Sequence, residues 1–169
     1  MNNSLLGRAL PVALFLCPLL SACSHAQNAL PAVNAPVAPL FSASFDAPIG
    51  AMSGDAMTAA GISGKALTLN GTGSVELAQS LDTSKSYTVM AWVKVAKTGG
   101  FQTFVSSDGP KDSAFFLQLR DDTKNFAFTA LPQAGGTPGI ASSQEDVEVG
   151  VWTHLAGVYD ATQKTLSSM

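Results

Sequence analysis

A chain of 169 residues is long enough for one domain with a substantial core and too short for two of ordinary size. Charged side chains make up 12% of it, about half the usual share, so Ser, Thr, Asn, Gln and Gly must cover most of the surface. The formal net charge of −3 excludes a binder of nucleic acid, which needs a basic face to hold phosphates.

Residues 1–23 read as an export signal and stand apart from the fold. Arg8 is a lone positive charge, Ala9 to Leu20 is apolar but too short to span a bilayer, and small residues follow. Two processing sites compete. Leu20-Ser21-Ala22-Cys23 resembles the bacterial lipobox, which implies that Cys23 becomes an acylated first residue and anchors the protein to a membrane, the outer one where a cell has it. Ser24-His25-Ala26 offers instead a small-x-small site that would release a secreted product beginning at Gln27. Cys17 leaves with the signal in either case, so the mature chain has no intramolecular disulfide and no thiolate metal site.

Residues 24–40 carry prolines at short intervals and no charge, a composition that favours an extended tether over a packed element. The domain is expected over residues 41–169. Phe41 to Asp46 alternates apolar and small polar residues and predicts an opening strand, and Pro48 to Gly64, rich in Gly, Ala, Ser and Met, predicts a long loop. Leu67 and Leu69 share one face of a following strand, Asn70-Gly71 signals a turn, and Gly73 to Leu77 resumes the alternation.

Tyr87 to Val95 is the cleanest strand. Tyr87, Val89, Ala91, Val93 and Val95 form a core face, leaving Thr88, Met90, Trp92 and Lys94 on the other. An indole opposite a fully apolar face is either a stacking platform or the seat of a covering loop. After a short strand at Thr103 to Ser106, Ala114–Arg120 and Asn125–Leu131 predict a hairpin, with Phe115, Leu117 and Leu119 facing Phe126, Phe128 and Ala130. Asp121 and Asp122 in its turn read as solvated, with calcium as the alternative. Pro132 to Ser143 predicts a Gly/Pro loop that offers a ligand Gln133 and hydroxyls. Glu145, Asp146 and Glu148 form the one carboxylate cluster and read as a solvated loop.

Val149 to Leu166 (VGVWTHLAGVYDATQKTL) predicts one strand ending in a turn, with bulk on both faces. This run, together with YTVMAWVKV at Tyr87 to Val95, the GKALTLNG segment and the early Phe45-Asp46, resembles the laminin G-like members of the concanavalin A-like lectin/glucanase superfamily. The resemblance covers Phe41 to Leu166 and implies an all-β, antiparallel jelly-roll sandwich. Family members continue past the Asp-x-Thr-x-Lys-like turn into further strands, so the sandwich is expected to be incomplete at the C-terminus. Glucanases of the superfamily set their acids at alternating positions of one strand. Asp146 and Glu148 would share a face, yet no aromatic follows to form a sugar subsite, so no catalytic residue is expected. His154 has no histidine partner in the domain, and Asp160, six residues along the same strand, would lie about 20 Å away.

The resemblance implies a non-catalytic module at the cell surface that recognises a polysaccharide or glycan, with Trp92 and Tyr159 as stacking surfaces. Calcium is common in such folds, and Asp46 and Asp160, each ending a strand, are the expected ligands. Two other readings stay open: an accessory part of a larger exported glycoside hydrolase, and a protein-binding or structural laminin G-like module.

Overall fold

In a computed structural model, residues 38–131 and 137–169 are described. The export signal with Cys23, nearly all of the tether and Gln133 lie outside them. The compact unit spans Pro39–Met169. Among the described residues it is all-β and antiparallel throughout.

Two sheets form a sandwich. One contains β5 (Tyr87–Val93), β10 (Thr153–Asp160) and β11 (Thr165–Ser168) in the order β11-β10-β5. The other contains β6 (Gln102–Asp108), β7 (Ser113–Leu119), β8 (Phe126–Ala130) and β9 (Gly139–Ser142) in chain order. The period of two decides what each strand buries. In β7 and β8 the paired rows Phe115–Ala130, Leu117–Phe128 and Leu119–Phe126 point inward, as the alternation predicts, and Leu119 and Phe128 are sealed from solvent altogether. From the facing sheet come Tyr87, Val93 and the following Val95, with Leu155 and Tyr159.

The centre of the core is aromatic. Tyr87 lies 5.5 Å from both Phe115 and Tyr159, and meets Phe128 edge-on at 6.1 Å, spacings at which ring quadrupoles attract. Burial, and then the neighbouring Tyr159, pushes the Tyr87 phenol up to about 12. The sheets approach most closely where Phe128 rests on Gly157: a Cβ there would stand 2.3 Å from Phe128 Cγ. On the far face of the second sheet Gln118 donates to Thr129 Oγ1 across 3.1 Å, which satisfies two buried polar side chains together.

The first third of the domain departs from expectation. Phe41 to Asp46 is not a strand, because Phe45 adopts a left-handed backbone (φ 60°) and turns the chain. Asp46 then accepts a hydrogen bond from the Lys65 amide at 2.9 Å. The expected loop at Pro48 to Gly64 instead holds β1 (Gly50–Ser53) and β2 (Met57–Ala60). These pair with β4 (Ser74–Leu77) and β3 (Lys65–Thr68) respectively. The result is one long ribbon folded back at Gly61–Gly64 and interrupted midway, with Asn70-Gly71 in the interruption. The Asn70-Gly71 bend therefore separates β3 from β4 without pairing them. Small residues sufficed here because strand pairing is carried by the backbone and its register, to which side-chain propensity adds little. Part of the Gly/Pro loop expected at Pro132 to Ser143 is likewise strand β9.

Gly157→Ala is expected to force the sheets apart or push Phe128 off its rotamer, costing about 1–3 kcal/mol as overpacking does, whereas Phe128→Ala should cost about 3–5 kcal/mol through the cavity it leaves. Urea unfolding followed by circular dichroism measures both. A Gly157→Ala midpoint equal to that of the parent chain would show that the contact is not a constraint.

Candidate functional site

The outward face of the three-stranded sheet is built by one register. Ala156 exchanges both of its backbone hydrogen bonds with Met169, each 3.0 Å, on the β11 side. It and its alternate neighbour His154 therefore form non-hydrogen-bonded pairs with β5, the type in which side chains stand closer. His154 falls opposite Trp92, and Ala156 opposite Met90. The Trp92 and His154 rings lie 5.0 Å apart at 51°. Trp92 remains 52% exposed and Met90 60%. Next in the row, Lys94 Nζ sits 5.2 Å from the Trp152 ring centroid, a cation–π contact that occupies the second indole.

His154 joins this face to a cleft. A space of about 490 Å³, within the range of small-ligand sites, is lined by His154 and Thr153 from β10, by Met169, and by Glu145, Asp146 and Glu148. Its floor includes Phe126 and Leu155. The acidic segment is pinned at both ends: the Ser143 amide donates to Phe126 O and the Gly150 amide to Val95 O, each at 2.8 Å. The Glu145 carbonyl also accepts from Asn125 Nδ2 at 3.4 Å and Ser143 Oγ at 3.3 Å. A second cavity, of about 150 Å³, lies on the ribbon between Phe45–Gly50 and Met52, Thr58 and Val75, and gathers only Asp46 and Lys65 as charged groups.

The expected site residues separate. Trp92 is an open platform on the sheet face. Tyr159 is not: it is 7% exposed, packed against Tyr87 inside the sandwich, and offers no ring to a ligand. The alternation that turns His154 outward turns Tyr159 inward, being an odd number of residues away. Asp46 does not end a strand, and its carboxylate caps the Lys65 amide at the ribbon turn. Asp160 does end β10, where Oδ1 accepts from the Thr162 and Gln163 amides at 2.8 and 3.1 Å to close the turn into β11. Among the described residues no group of three or more His, Cys, Asp or Glu side chains is placed to hold a metal.

Asp121 and Asp122 are also engaged. Hydrogen bonding to Lys124 and then to the Gly100 amide holds the Asp121 carboxyl below its usual range, and Arg120 does the same for Asp122. Asp82 is held at about 2 by the Ser84 hydroxyl and then by Lys85. His154, Met90 and the acidic segment were not legible as one site. β5 and β10 are distant in sequence, so nothing local fixed which residue would stand opposite Trp92. The bulk on both faces of Val149–Leu166 was the available signal.

Comparison with known proteins adds the family. No curated protein and no solved structure gives a significant match to the chain. The laminin G-like profile described as concanavalin A-like lectin/glucanases superfamily matches residues 69–167, a span that holds β4 to β10, most of β11 and the open face with Trp92 and His154. The chain belongs to this laminin G-like family of the concanavalin A-like lectin/glucanase superfamily.

Proposed function

We propose that the protein is a non-catalytic saccharide-recognition module of the cell envelope, exported and anchored through Cys23. The observation that carries this is Trp92, a half-exposed indole on the outer face of a sheet with the His154 ring against one side. An aromatic ring in that position offers an apolar face to the C–H face of a sugar ring, while the imidazole can hydrogen-bond a sugar hydroxyl. Carbohydrate binding is one of the activities of the superfamily, and a cleft that counts His154 among its lining residues lies beside the platform.

The same surface argues against hydrolysis. A glycosidase needs one carboxyl kept protonated by an apolar pocket and a second one opposed to it across the scissile bond. Glu145, Asp146 and Glu148 are all exposed and follow one another in a loop. Nor does the reading need calcium, since the carboxylates of Asp46 and Asp160 close backbone turns.

Three outcomes are expected. Trp92→Ala should weaken binding of neutral oligosaccharides about five- to tenfold, the effect of losing an aromatic contact of about 1 kcal/mol, with the thermal midpoint unchanged because the ring is half in solvent. Isothermal titration calorimetry with scanning calorimetry reads both, and an unaltered affinity would remove Trp92 from the site. Chelating calcium should shift neither the midpoint nor the affinity, whereas a resident ion would raise the midpoint on addition through its binding free energy. In bacterial cells fed a labelled fatty acid, the chain should take up label and Cys23→Ala should not. Label-free chain in the medium would instead support cleavage before Gln27.

A further inference from the structure

We propose that the outward face of the three-stranded sheet holds a soft monovalent metal ion of the copper(I) and silver(I) kind, with Met90, Met169 and His154 as its ligands and the Trp92 ring beside it. The inference goes beyond the saccharide reading and does not depend on it. It begins from one row across the sheet. Met90 stands opposite Ala156 on one side. Met169 stands opposite the same Ala156 on the other, joined to it by a reciprocal pair of backbone hydrogen bonds of 3.0 Å. Residues opposite one another share a face, so both thioethers rise from the outer face with only a methyl group between them. Met90 is 60% exposed and Met169 82%, whereas Ala156 is 4% exposed and lies at the bottom of a dip between bulkier neighbours.

The spacing suits one ion above Ala156. A non-hydrogen-bonded pair next to a hydrogen-bonded one sets the two methionine Cα atoms about 10 Å apart. Unbranched side chains with three rotatable bonds can lean in from both sides and bring their sulfurs over the methyl group between them. His154 precedes Ala156 by two residues on the same face, and is the diagonal neighbour of each methionine at about 7–8 Å. Two further contacts fix its place: it lines one cleft together with Met169, and its ring lies 5.0 Å from that of Trp92. Two thioether sulfurs and one imidazole nitrogen thus surround one point, with the indole at its border. This donor set selects the metal, because thioethers are soft ligands that favour copper(I), which imidazole also suits, while hard cations prefer carboxylate and carbonyl oxygen. The face of an indole attracts a cation. Lys94, the cation in the same row of β5, sits over Trp152 instead, which leaves the Trp92 ring to the ion.

The test is a titration of silver(I), in chloride-free buffer, into the full-length chain carrying Cys17→Ala and Cys23→Ala, which removes the thiols that would compete for the ion. Calorimetry should show a saturable site, and tryptophan fluorescence should be quenched over the same range of added metal. Combining Met90→Leu with Met169→Leu, exchanges of similar volume that leave the metal-free thermal midpoint unchanged, should abolish the quench. It should also weaken silver(I) binding about a hundredfold or more, since even an outer-shell partner of a metal is worth 10–100-fold. His154→Gln should weaken binding in the same direction. Zinc(II), which thioethers do not favour, should bind far more weakly than silver(I) and equally to the parent and the double variant. Absence of a saturable site, silver(I) binding that the double variant leaves intact, or zinc(II) bound as tightly as silver(I) would each overturn the assignment. No sugar enters these readouts, so a failure here leaves the saccharide reading where it stands.

Discussion

The contact between Phe128 and Gly157 sets the terms for the rest of the molecule. Two sheets can pack only as closely as their inner side chains allow, about 10 Å in most sandwiches. Here the bulk of one Phe is accommodated by the missing side chain of one Gly, with no room for a Cβ. Once Gly157 faces Phe128, the pleat fixes every other residue of β10: Leu155 and Tyr159 go inward, His154, Ala156 and Val158 outward. A slip of one residue would put His154 into the core and Tyr159 into water, at the cost of an unsatisfied imidazole and the whole aromatic cluster. The outer face that carries Trp92 is thus a consequence of inner packing.

The same contact explains why two tyrosines are buried in a domain with few polar core residues. Tyr87 and Tyr159 stand directly opposite each other in register, and Phe115 and Phe128 from the other sheet close around Tyr87. Burial pushes the Tyr87 phenol up to about 12, further above the physiological range in which an ordinary phenol is already neutral. Elsewhere the chain keeps its acids outside, and Asp82, Asp121 and Asp122 are paired with a cation in the turn where they occur.

How much of this was legible in the sequence depended on the distance over which each feature is decided. The hairpin of β7 and β8 was legible down to its facing pairs, because its register is set by one short turn and a strict alternation. β5 was legible for the same reason, and its exposed Trp92 with it. Val149 to Leu166 was recognisable as a strand and a turn, yet not which face was core, since that was settled by Phe128 across the sandwich. The ribbon was misread because β1 and β2 carry small, weakly β-forming residues whose pairing depends on partners further along the chain, β4 for β1 and β3 for β2. Phe41 to Asp46 failed in the opposite sense: its alternation was real, but Phe45 took a left-handed turn that delivered Asp46 to the Lys65 amide. Tyr159 was lost as a stacking surface by parity alone.

The arrangement also bears on how a surface without a deep pocket could discriminate among ligands. Ordering a flexible side chain on binding costs about 0.5–1.5 kcal/mol, which a shallow site cannot easily recover. Trp92 and His154 are paired across the two longest-paired strands of their sheet, so each ring is already restrained by the other before any ligand arrives. The acidic segment is tied at one end to Phe126, within the core, and at the other to the Val95 carbonyl, just past the strand that carries Trp92. Platform and charge are therefore positioned by the same two strands, β5 and β10, and by the sandwich core beneath them. A change in the core that altered the spacing of the sheets would be felt at both together.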